Sequence, residues 1–287
     1  MTRVLLMLVE WTRFLPFRWV RALGTLLGLL LYLLVGSRRR VVQVNLQICF
    51  PHWSAAQVQR QTRRTFIYFA QAWLDRGWIW HGDPAIARKR IRLVGAVDEF
   101  AGNAPTLVFA PHFIGMDAGW IALTQQLPRH FVTIYAAQTN KVVDDWILQG
   151  RKRFPNGEPV DRRDGFKPVL AAVKAGSPLC LLPDMNYEPD DSVFVPFYGV
   201  QAATMPSLSR IARLGRAKVV AAIARITPDG YEIEITPRWV DFPSKDLVED
   251  TALMNLRLQD YIDKDPAQYY WVHKRFKDRP PGEKPPY

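Results

Sequence analysis

The chain has 287 residues, which is long for one domain and short for two, so one domain with an N-terminal appendage is the expectation. Hydrophobic residues make up 48% of the sequence and aromatic residues 12%, and this composition excludes a disordered protein. The only cysteines, Cys49 and Cys180, lie far apart in apolar runs. They exclude a disulfide framework and favour buried thiols in a reducing compartment.

The net charge of +11 is concentrated near the N-terminus. Residues 1–74 contain ten arginines, no lysine and one acidic residue, Glu10, and so carry +9, whereas the other 213 residues carry +2. Basic charge among apolar stretches is typical of chains that bind an anionic lipid surface. Nucleic acid is the alternative partner for a basic chain, but these arginines flank leucine-rich runs without interleaved stacking aromatic residues. We therefore expect anionic membrane lipid as a partner and no nucleic acid.

The first strong element is an uncharged apolar run over residues 22–36, with arginines on both sides. A membrane span needs about 20 residues, so this run of 15 is short, although arginine stems on its flanks can extend its reach. No small-residue cleavage site follows it, which argues against a cleaved secretory signal. We expect residues 1–40 to be a membrane anchor that either spans the bilayer or dips into one leaflet. A core helix of a soluble domain is the alternative.

The remainder, residues 41–287, alternates helix-like and strand-like stretches. Ser54 and Gln57 have the form of a capping box that starts a helix to about Trp80, and Asp83-Pro84 ends it. Strands are predicted at 91–94, 106–110, 131–136, 178–182, 218–226 and 231–237. A helix that ends at Leu127 follows the second of these strands, and further helices are predicted at 142–153, 167–174, 207–214 and 248–264. Uniformly apolar strands alternating with helices predict an α/β domain with a mostly parallel sheet covered by helices on both faces. The last two strands predict an antiparallel hairpin at the edge of that sheet.

The most informative segment covers residues 107–117, where an apolar strand runs into a turn that contains His112, with Asp117 five residues later. In a continuous helix these side chains would lie about 140° apart, so they can meet only if His112 lies in the turn and Asp117 in the first helical turn. Pro111 and Gly115 favour that geometry. Asp117 would then orient the imidazole as a general base for a hydroxyl. The spacing alone favours a simpler reading, a structural histidine and an aspartate at a helix N-terminus.

Other segments strengthen the catalytic reading. Residues 150–153 and 160–164 supply five cationic side chains, which suit phosphate or a developing oxyanion, although a solvated charge run is commoner. Asp184 follows a predicted strand, at the sheet edge where α/β proteins place their sites. Residues 192–199 form either a core strand or the wall of an alkyl groove. We find no nucleophile elbow, metal-ligand or dinucleotide motif, so we expect no covalent acyl-enzyme, no metal and no cofactor.

These motifs occur in an order that resembles the late lipid A acyltransferases of Gram-negative bacteria, over about residues 15–282. The segments are Asn45-Leu46, Phe50-Pro51, His112-x4-Asp117, Gly150-Arg151-Lys152-Arg153, Asp161-Arg162, Pro183-Asp184, VFVPFYG at 193–199 and QYYWVHKRFKDRP at 268–280. The resemblance implies a glycerol-3-phosphate acyltransferase-like fold. It also implies transfer of a fatty acyl group from acyl carrier protein to a hydroxyl of a Kdo-bearing lipid A precursor, at the cytoplasmic face of the bacterial inner membrane.

By position, the resemblance makes His112 the general base and Asp117 its orienting carboxylate, where many family members have glutamate. Arg151 matches an arginine suspected of binding phosphate or the oxyanion, and Asp184 matches the aspartate of a family box and is placed among the substrate-binding residues. Two further phosphate contacts are expected at Arg153 and Arg162, whereas His273 is interpreted as structural or substrate-binding.

Other functions remain open from the sequence alone. The same chemistry on another glycolipid or on a lysophospholipid is one alternative. A membrane lipid-binding protein whose catalytic site has lapsed is another, although an intact set of candidate residues weighs against it.

Overall fold

The computed structural model describes all 287 residues. Its centre is a seven-stranded sheet in the order β1-β9-β8-β2-β5-β3-β4, and a separate two-stranded sheet pairs β6 with β7. The strands are β1 (Ile91–Gly95), β2 (Thr106–Phe109), β3 (Phe131–Tyr135), β4 (Gly157–Asp161), β5 (Leu179–Leu181), β6 (Val193–Phe197), β7 (Val200–Thr204), β8 (Lys218–Thr227) and β9 (Gly230–Ile235). The helices are α1 (Thr2–Trp11), α2 (Phe17–Leu34), α3 (Gly36–Cys49), α4 (Ala55–His81), α5 (Pro84–Arg90), α6 (Met116–Gln126), α7 (Lys141–Arg151), α8 (Phe166–Lys174), α9 (Ser207–Gly215) and α10 (Leu247–Asp263).

The predicted α/β class is confirmed. Strand β2 is buried at every residue, and it pairs in parallel with both β5 and β8. Its alternate side chains enter two hydrophobic clusters, Leu107 and Phe109 on one face and Val108 on the other. Helices α6 and α7 cover the face of Val108, and α8, α9 and α10 cover the opposite face. The sheet thus places the end of β2 in the middle of the molecule, where its following turn is enclosed by other elements.

The edges of the sheet differ from the prediction. Strands β8 and β9 do form an antiparallel hairpin, but β1 pairs in parallel with β9 and forms the edge, so the hairpin is internal. At the opposite edge, β4 pairs with β3 in a segment where no strand was predicted. Pro159 lies within β4, and proline is tolerated there because an edge strand leaves one row of amides unpaired. Residues 193–204 form the small β6–β7 hairpin, which packs against α10.

The N-terminal quarter consists of helices α1, α2 and α3 and most of α4. The predicted apolar helix is confirmed as α2, and it is the one helix long and apolar enough to cross a membrane. The capping box is also confirmed, because Ser54 Oγ accepts a hydrogen bond from the Gln57 amide at 3.3 Å while Gln57 Oε1 accepts one from the Ser54 amide at 2.8 Å. Helix α3 runs through residue 40 without a break. The division into an anchor at 1–40 and a domain at 41–287 stays a prediction.

Candidate active site

The turn between β2 and α6 has the predicted form, with His112 in the turn and Asp117 in the first turn of α6. The C-terminal segment binds this turn through its backbone. The Ile114 amide donates to the Gln268 carbonyl at 2.8 Å, and the Tyr270 amide donates to the His112 carbonyl at 2.9 Å. The segment 268–280 therefore fixes the backbone that positions the imidazole. In the sequence analysis this segment was informative only through the family resemblance.

The carboxylate that contacts the imidazole belongs to Asp184. Its Oδ1 lies 2.8 Å from His112 Nδ1, and its Oδ2 accepts hydrogen bonds from the His112 amide at 2.9 Å and the Tyr269 hydroxyl at 3.0 Å. Burial alone would raise the pKa of Asp184, but attraction to His112 and hydrogen bonds from it hold that pKa below its usual value. An ionised Asp184 accepts from Nδ1–H, so in the neutral imidazole the lone pair lies on Nε2, where a proton can be accepted.

This pairing corrects two expectations. No hydrogen bond or ion pair joins His112 to Asp117, so Asp117 is not in contact with the ring that it was expected to orient. Asp184 was expected among the substrate-binding residues, but its side chain is fully buried beneath the imidazole and is already engaged by His112 and Tyr269. The reason is that β2 and β5 are neighbours in the sheet, which brings the residue after β5 under the turn after β2.

Asp117 instead lies between two arginines. Its Oδ2 accepts from Arg76 Nε and Nη2 at 3.0 and 2.7 Å, and its Oδ1 accepts from Arg151 Nε and Nη2 at 3.3 and 3.2 Å. Burial would raise the pKa of Asp117, but the two guanidinium groups outweigh it and lower that pKa. Two cations and one anion leave a net positive charge beside His112. Such a site is suited to a phosphate or an oxyanion.

The other predicted cations divide into two groups. Arg162 is exposed and lines the cavity described below, with Nη1 3.1 Å from the Tyr187 hydroxyl. Arg153 is turned away, because its guanidinium donates to the carbonyls of Ile79 and Gly82 at the C-terminal end of α4. The expectation that Arg153 contacts phosphate is therefore corrected. Its guanidinium instead satisfies the free carbonyls of that helix end. His273 does not line the cavity, and burial lowers its pKa to about 4.

A cavity of about 740 Å³ opens at His112, between α6 and the sheet. A cavity of this volume can hold a ligand of drug-like size. Polar groups of His112, Asp117 and Arg151 lie on its wall, while most of the lining is hydrophobic. The apolar side chains that line it from α6, α7 and the strands include Trp120, Leu123, Ile147, Cys180, Ala222 and Ala224. The site therefore combines a proton acceptor, a positive cluster and a long apolar space.

Sequence reasoning missed Arg76, which lies within the helix predicted from the capping box to about Trp80. Its guanidinium carbon lies 3.9 Å from the centre of the Trp73 ring, so the cation is stacked as well as paired with Asp117. The available signal was the charged pair Asp75-Arg76 in the middle of an apolar helical pattern, because buried charges require partners. Asp75 has its own partners, the Arg21 guanidinium at 3.0 Å and the Tyr231 hydroxyl at 2.6 Å.

Both cysteines are free and buried, as the sequence indicates. Cys180 lines the cavity, and burial raises the pKa of its thiol to about 12. A thiol of that pKa is almost entirely protonated at neutral pH, and the thiolate is the reactive form. Cys180 is therefore a poor nucleophile.

Replacing Asp117 with asparagine should destabilise the fold. The variant leaves Arg76 and Arg151 without their anion, and breaking a buried pair in this way costs about 3–5 kcal/mol. Because the folded-state pKa of Asp117 is depressed, this stabilisation is present above about pH 3.9 and is lost as the pH falls through the folded-state value. Denaturant unfolding at pH 7 measures the difference. Asp145→Asn is the matched control, since the pair of Asp145 with Lys141 is exposed and should change stability by at most about 1 kcal/mol.

Comparison with known proteins identifies the family of this chain. Residues 2–278 match the family described as bacterial lipid A biosynthesis acyltransferase. The chain is 31% identical over 275 residues to the lipid A biosynthesis lauroyltransferase of Escherichia coli, covering 93% of this chain and 88% of that protein. It is 30% identical over 276 residues to a lipid A biosynthesis acyltransferase of Haemophilus influenzae, covering 94% and 85%. It is 28% identical over 256 residues to the myristoyltransferase of Escherichia coli, covering 88% and 78%. The chain belongs to the bacterial lipid A biosynthesis acyltransferase family.

Proposed function

We propose that this acyltransferase moves a fatty acyl chain from acyl carrier protein to a hydroxyl of a Kdo-bearing lipid A precursor, with His112 as the general base. The observation that carries the proposal is the His112–Asp184 pair on the wall of a large, mostly apolar cavity, because the carboxylate engages Nδ1 of the imidazole and leaves Nε2 free to act as a base. The acceptor class rests on the names of the relatives, which act in lipid A biosynthesis.

The reaction needs one proton acceptor and one site of negative charge. His112 Nε2 takes the proton of the acceptor hydroxyl as its oxygen attacks the thioester carbonyl, and Asp184 stabilises the imidazolium that forms. The tetrahedral intermediate carries an oxyanion, for which Arg151 and the amides at the start of α6 are the donors. When the carbon–sulfur bond breaks, the imidazolium returns the proton to the departing thiolate. The products are the ester and the free thiol of the carrier.

Substrate recognition follows from the charges around the cavity. The net positive cluster of Arg76, Asp117 and Arg151 and the exposed Arg162 suit the phosphates of the acceptor. An acidic carrier protein is favoured by a basic enzyme surface. The chain works on the bacterial inner membrane with its catalytic domain on the cytoplasmic face, where the thioester donor is made.

The direct test is acyl transfer with purified full-length enzyme. Incubation with acyl-acyl carrier protein and the lipid A precursor should add one acyl chain, detected by mass spectrometry. A lysophospholipid and a second glycolipid serve as competing acceptors in the same reaction. Preferential acylation of either competitor would overturn the acceptor assignment while leaving the chemistry of His112 in place, and no acylation of any acceptor would overturn both.

The apolar end of the cavity predicts an effect on acyl-chain length. Cys180 lies on β5 in the cavity lining, so Cys180→Leu fills part of the space. The variant should shift the preference toward shorter acyl chains by at least about tenfold, which is the selectivity that one methylene group provides in a hydrophobic pocket. Cys180→Ala should leave the short-chain rate unchanged and accept longer chains better. Competition between donors of different length, read by mass spectrometry, measures the shift. The same chain-length profile in both variants would place the acyl chain elsewhere.

A further inference from the structure

The N-terminal helices expose an unusual amount of apolar surface. On α2, large side chains point outward along one face while the buried residues Val20, Gly24 and Gly28 lie on another. The exposed apolar residues of the first 34 include Val4, Leu5, Met7, Leu8, Trp11, Phe14, Trp19, Leu23, Leu26, Leu30, Leu33 and Leu34. Several of them are more than half exposed, Leu26 at 65% and Leu33 at 67%. A continuous apolar face of this size indicates a partner.

The charge around this face identifies the partner as lipid. Arg3, Arg18, Arg38 and Arg40 are exposed near the ends of the helices. The one acidic residue of the region, Glu10, is turned inward, where its Oε1 accepts a hydrogen bond from Trp146 Nε1 at 2.8 Å. An apolar face bordered by arginines and free of acidic groups complements a bilayer that contains anionic lipids.

The inner face of α2 is bound to α4 along its length. A Cβ added at Gly28 would lie 2.5 Å from the Ile67 Cα, and one added at Gly24 would lie 2.8 Å from the Gln71 Cα, so the two backbones touch at two points one turn apart. Polar contacts reinforce this packing, because Gln71 Nε2 donates to Thr25 Oγ1 at 3.1 Å and Arg21 Nη1 pairs with the buried Asp75 at 3.0 Å. If α2 crossed a bilayer, it would carry the charged and polar groups of α4 into hydrocarbon, which is costly.

The length of α2 and the charges that flank it also argue against a helix that spans the membrane. Eighteen residues give a helix of about 27 Å, slightly shorter than the hydrocarbon core of about 30 Å. Arginines occur at both ends, with Arg18 at the start and Arg38, Arg39 and Arg40 after the end. A spanning helix would place one of these groups on the outer side, against the rule that basic flanks stay on the cytoplasmic side. A helix lying in the membrane plane keeps both groups on that side.

We propose that α1 and α2 form an in-plane membrane dock, with their exposed apolar face in one leaflet of an anionic bilayer and both ends of α2 on the cytoplasmic side. Helix α4 separates this dock from the active site, since Gln71 faces α2 while Phe69 and Trp73 line the cavity. The cavity therefore lies about one helix diameter, roughly 10 Å, behind the membrane-bound layer. The proposal concerns how the chain lies on the bilayer and does not rest on the acyl-transfer chemistry.

Two variants of the full chain, each with one added cysteine, test the topology. Arg18→Cys and Ser37→Cys each add one exposed thiol at an end of α2, whereas the native Cys49 and Cys180 are buried. In inverted inner-membrane vesicles, whose cytoplasmic face is outward, a membrane-impermeant maleimide should label both variants before detergent is added. The unaltered chain is the control. Protection of one or both thiols until detergent is added would overturn the in-plane arrangement.

A second measurement tests the apolar face itself. The double variant Leu26→Asp/Leu30→Asp should weaken binding to phosphatidylglycerol-containing vesicles by at least about tenfold, because it removes two side chains from hydrocarbon. Leu214→Asp/Leu256→Asp is the matched control, since those leucines are also exposed but lie on α9 and α10. Circular dichroism confirms that each variant folds. Equal binding by the two double variants, or equal binding of the unaltered chain to neutral vesicles, would contradict the proposal.

Discussion

His112→Gln should lower kcat/KM by about 10³-fold or more, since the variant removes the general base, a group that contributes roughly 10²–10⁴-fold on its own. Glutamine can still accept a hydrogen bond from the acceptor hydroxyl, but it cannot take the proton at neutral pH. KM should change little, because the apolar cavity and the arginine cluster stay in place. Acyl transfer from carrier thioester to the lipid A precursor, followed by mass spectrometry at several acceptor concentrations, measures both constants.

The matched control is His130→Gln. His130 is about half exposed and pairs with Glu158 at the surface, so its replacement should leave turnover within about twofold, as is usual for surface changes. Vesicle binding should be the same for both variants and the unaltered chain. If His112→Gln retained full activity, the proposed base would be wrong even though the family assignment would stand.

The order of helices and strands was largely predictable because burial on both faces of a sheet leaves a local signature. The fully apolar segments at β2 and β5 identify central parallel strands, and Pro111 and Gly115 identify the turn after β2. Edge elements carry weaker signals. Strand β4 contains Gly157 and Pro159 and has one partner, so its composition is that of a loop.

The partners of the site residues were not predictable from spacing. Asp117 is five residues from His112 and pairs with arginines of α4 and α7, while Asp184 is 72 residues away and contacts the imidazole. That contact depends on β5 lying next to β2, which no local pattern reports. Spacing likewise did not distinguish Arg153 from Arg151. Because Arg153 lies after α7, its guanidinium reaches the end of α4. Spacing located the turn, whereas sheet order selected the carboxylate.

Asp184→Asn should lower kcat by about 10³–10⁴-fold while leaving the cavity intact, the size of effect seen when an orienting carboxylate becomes an amide. The amide no longer stabilises the imidazolium, and it favours the tautomer whose proton lies on Nε2, where the hydroxyl proton must go. Acyl transfer by mass spectrometry measures the loss. The double variant His112→Gln/Asp184→Asn should be no slower than His112→Gln alone, because the two groups act as one unit.

Two comparisons distinguish a loss of His112 ring orientation from a general loss of stability around Asp184. Tyr269→Phe removes only the hydroxyl that donates to Asp184 Oδ2 at 3.0 Å, and a hydrogen bond to a charged group contributes about 1.5–3 kcal/mol, so activity should fall by about 10- to 100-fold, less than in Asp184→Asn. Asp117→Asn should lower stability more than Asp184→Asn does, since Asp117 neutralises two arginines whereas Asp184 pairs with one histidine. If instead Asp117→Asn abolished turnover in a stably folded enzyme and Asp184→Asn retained it, the orienting carboxylate would be Asp117. The His112–Asp184 contact would then be structural.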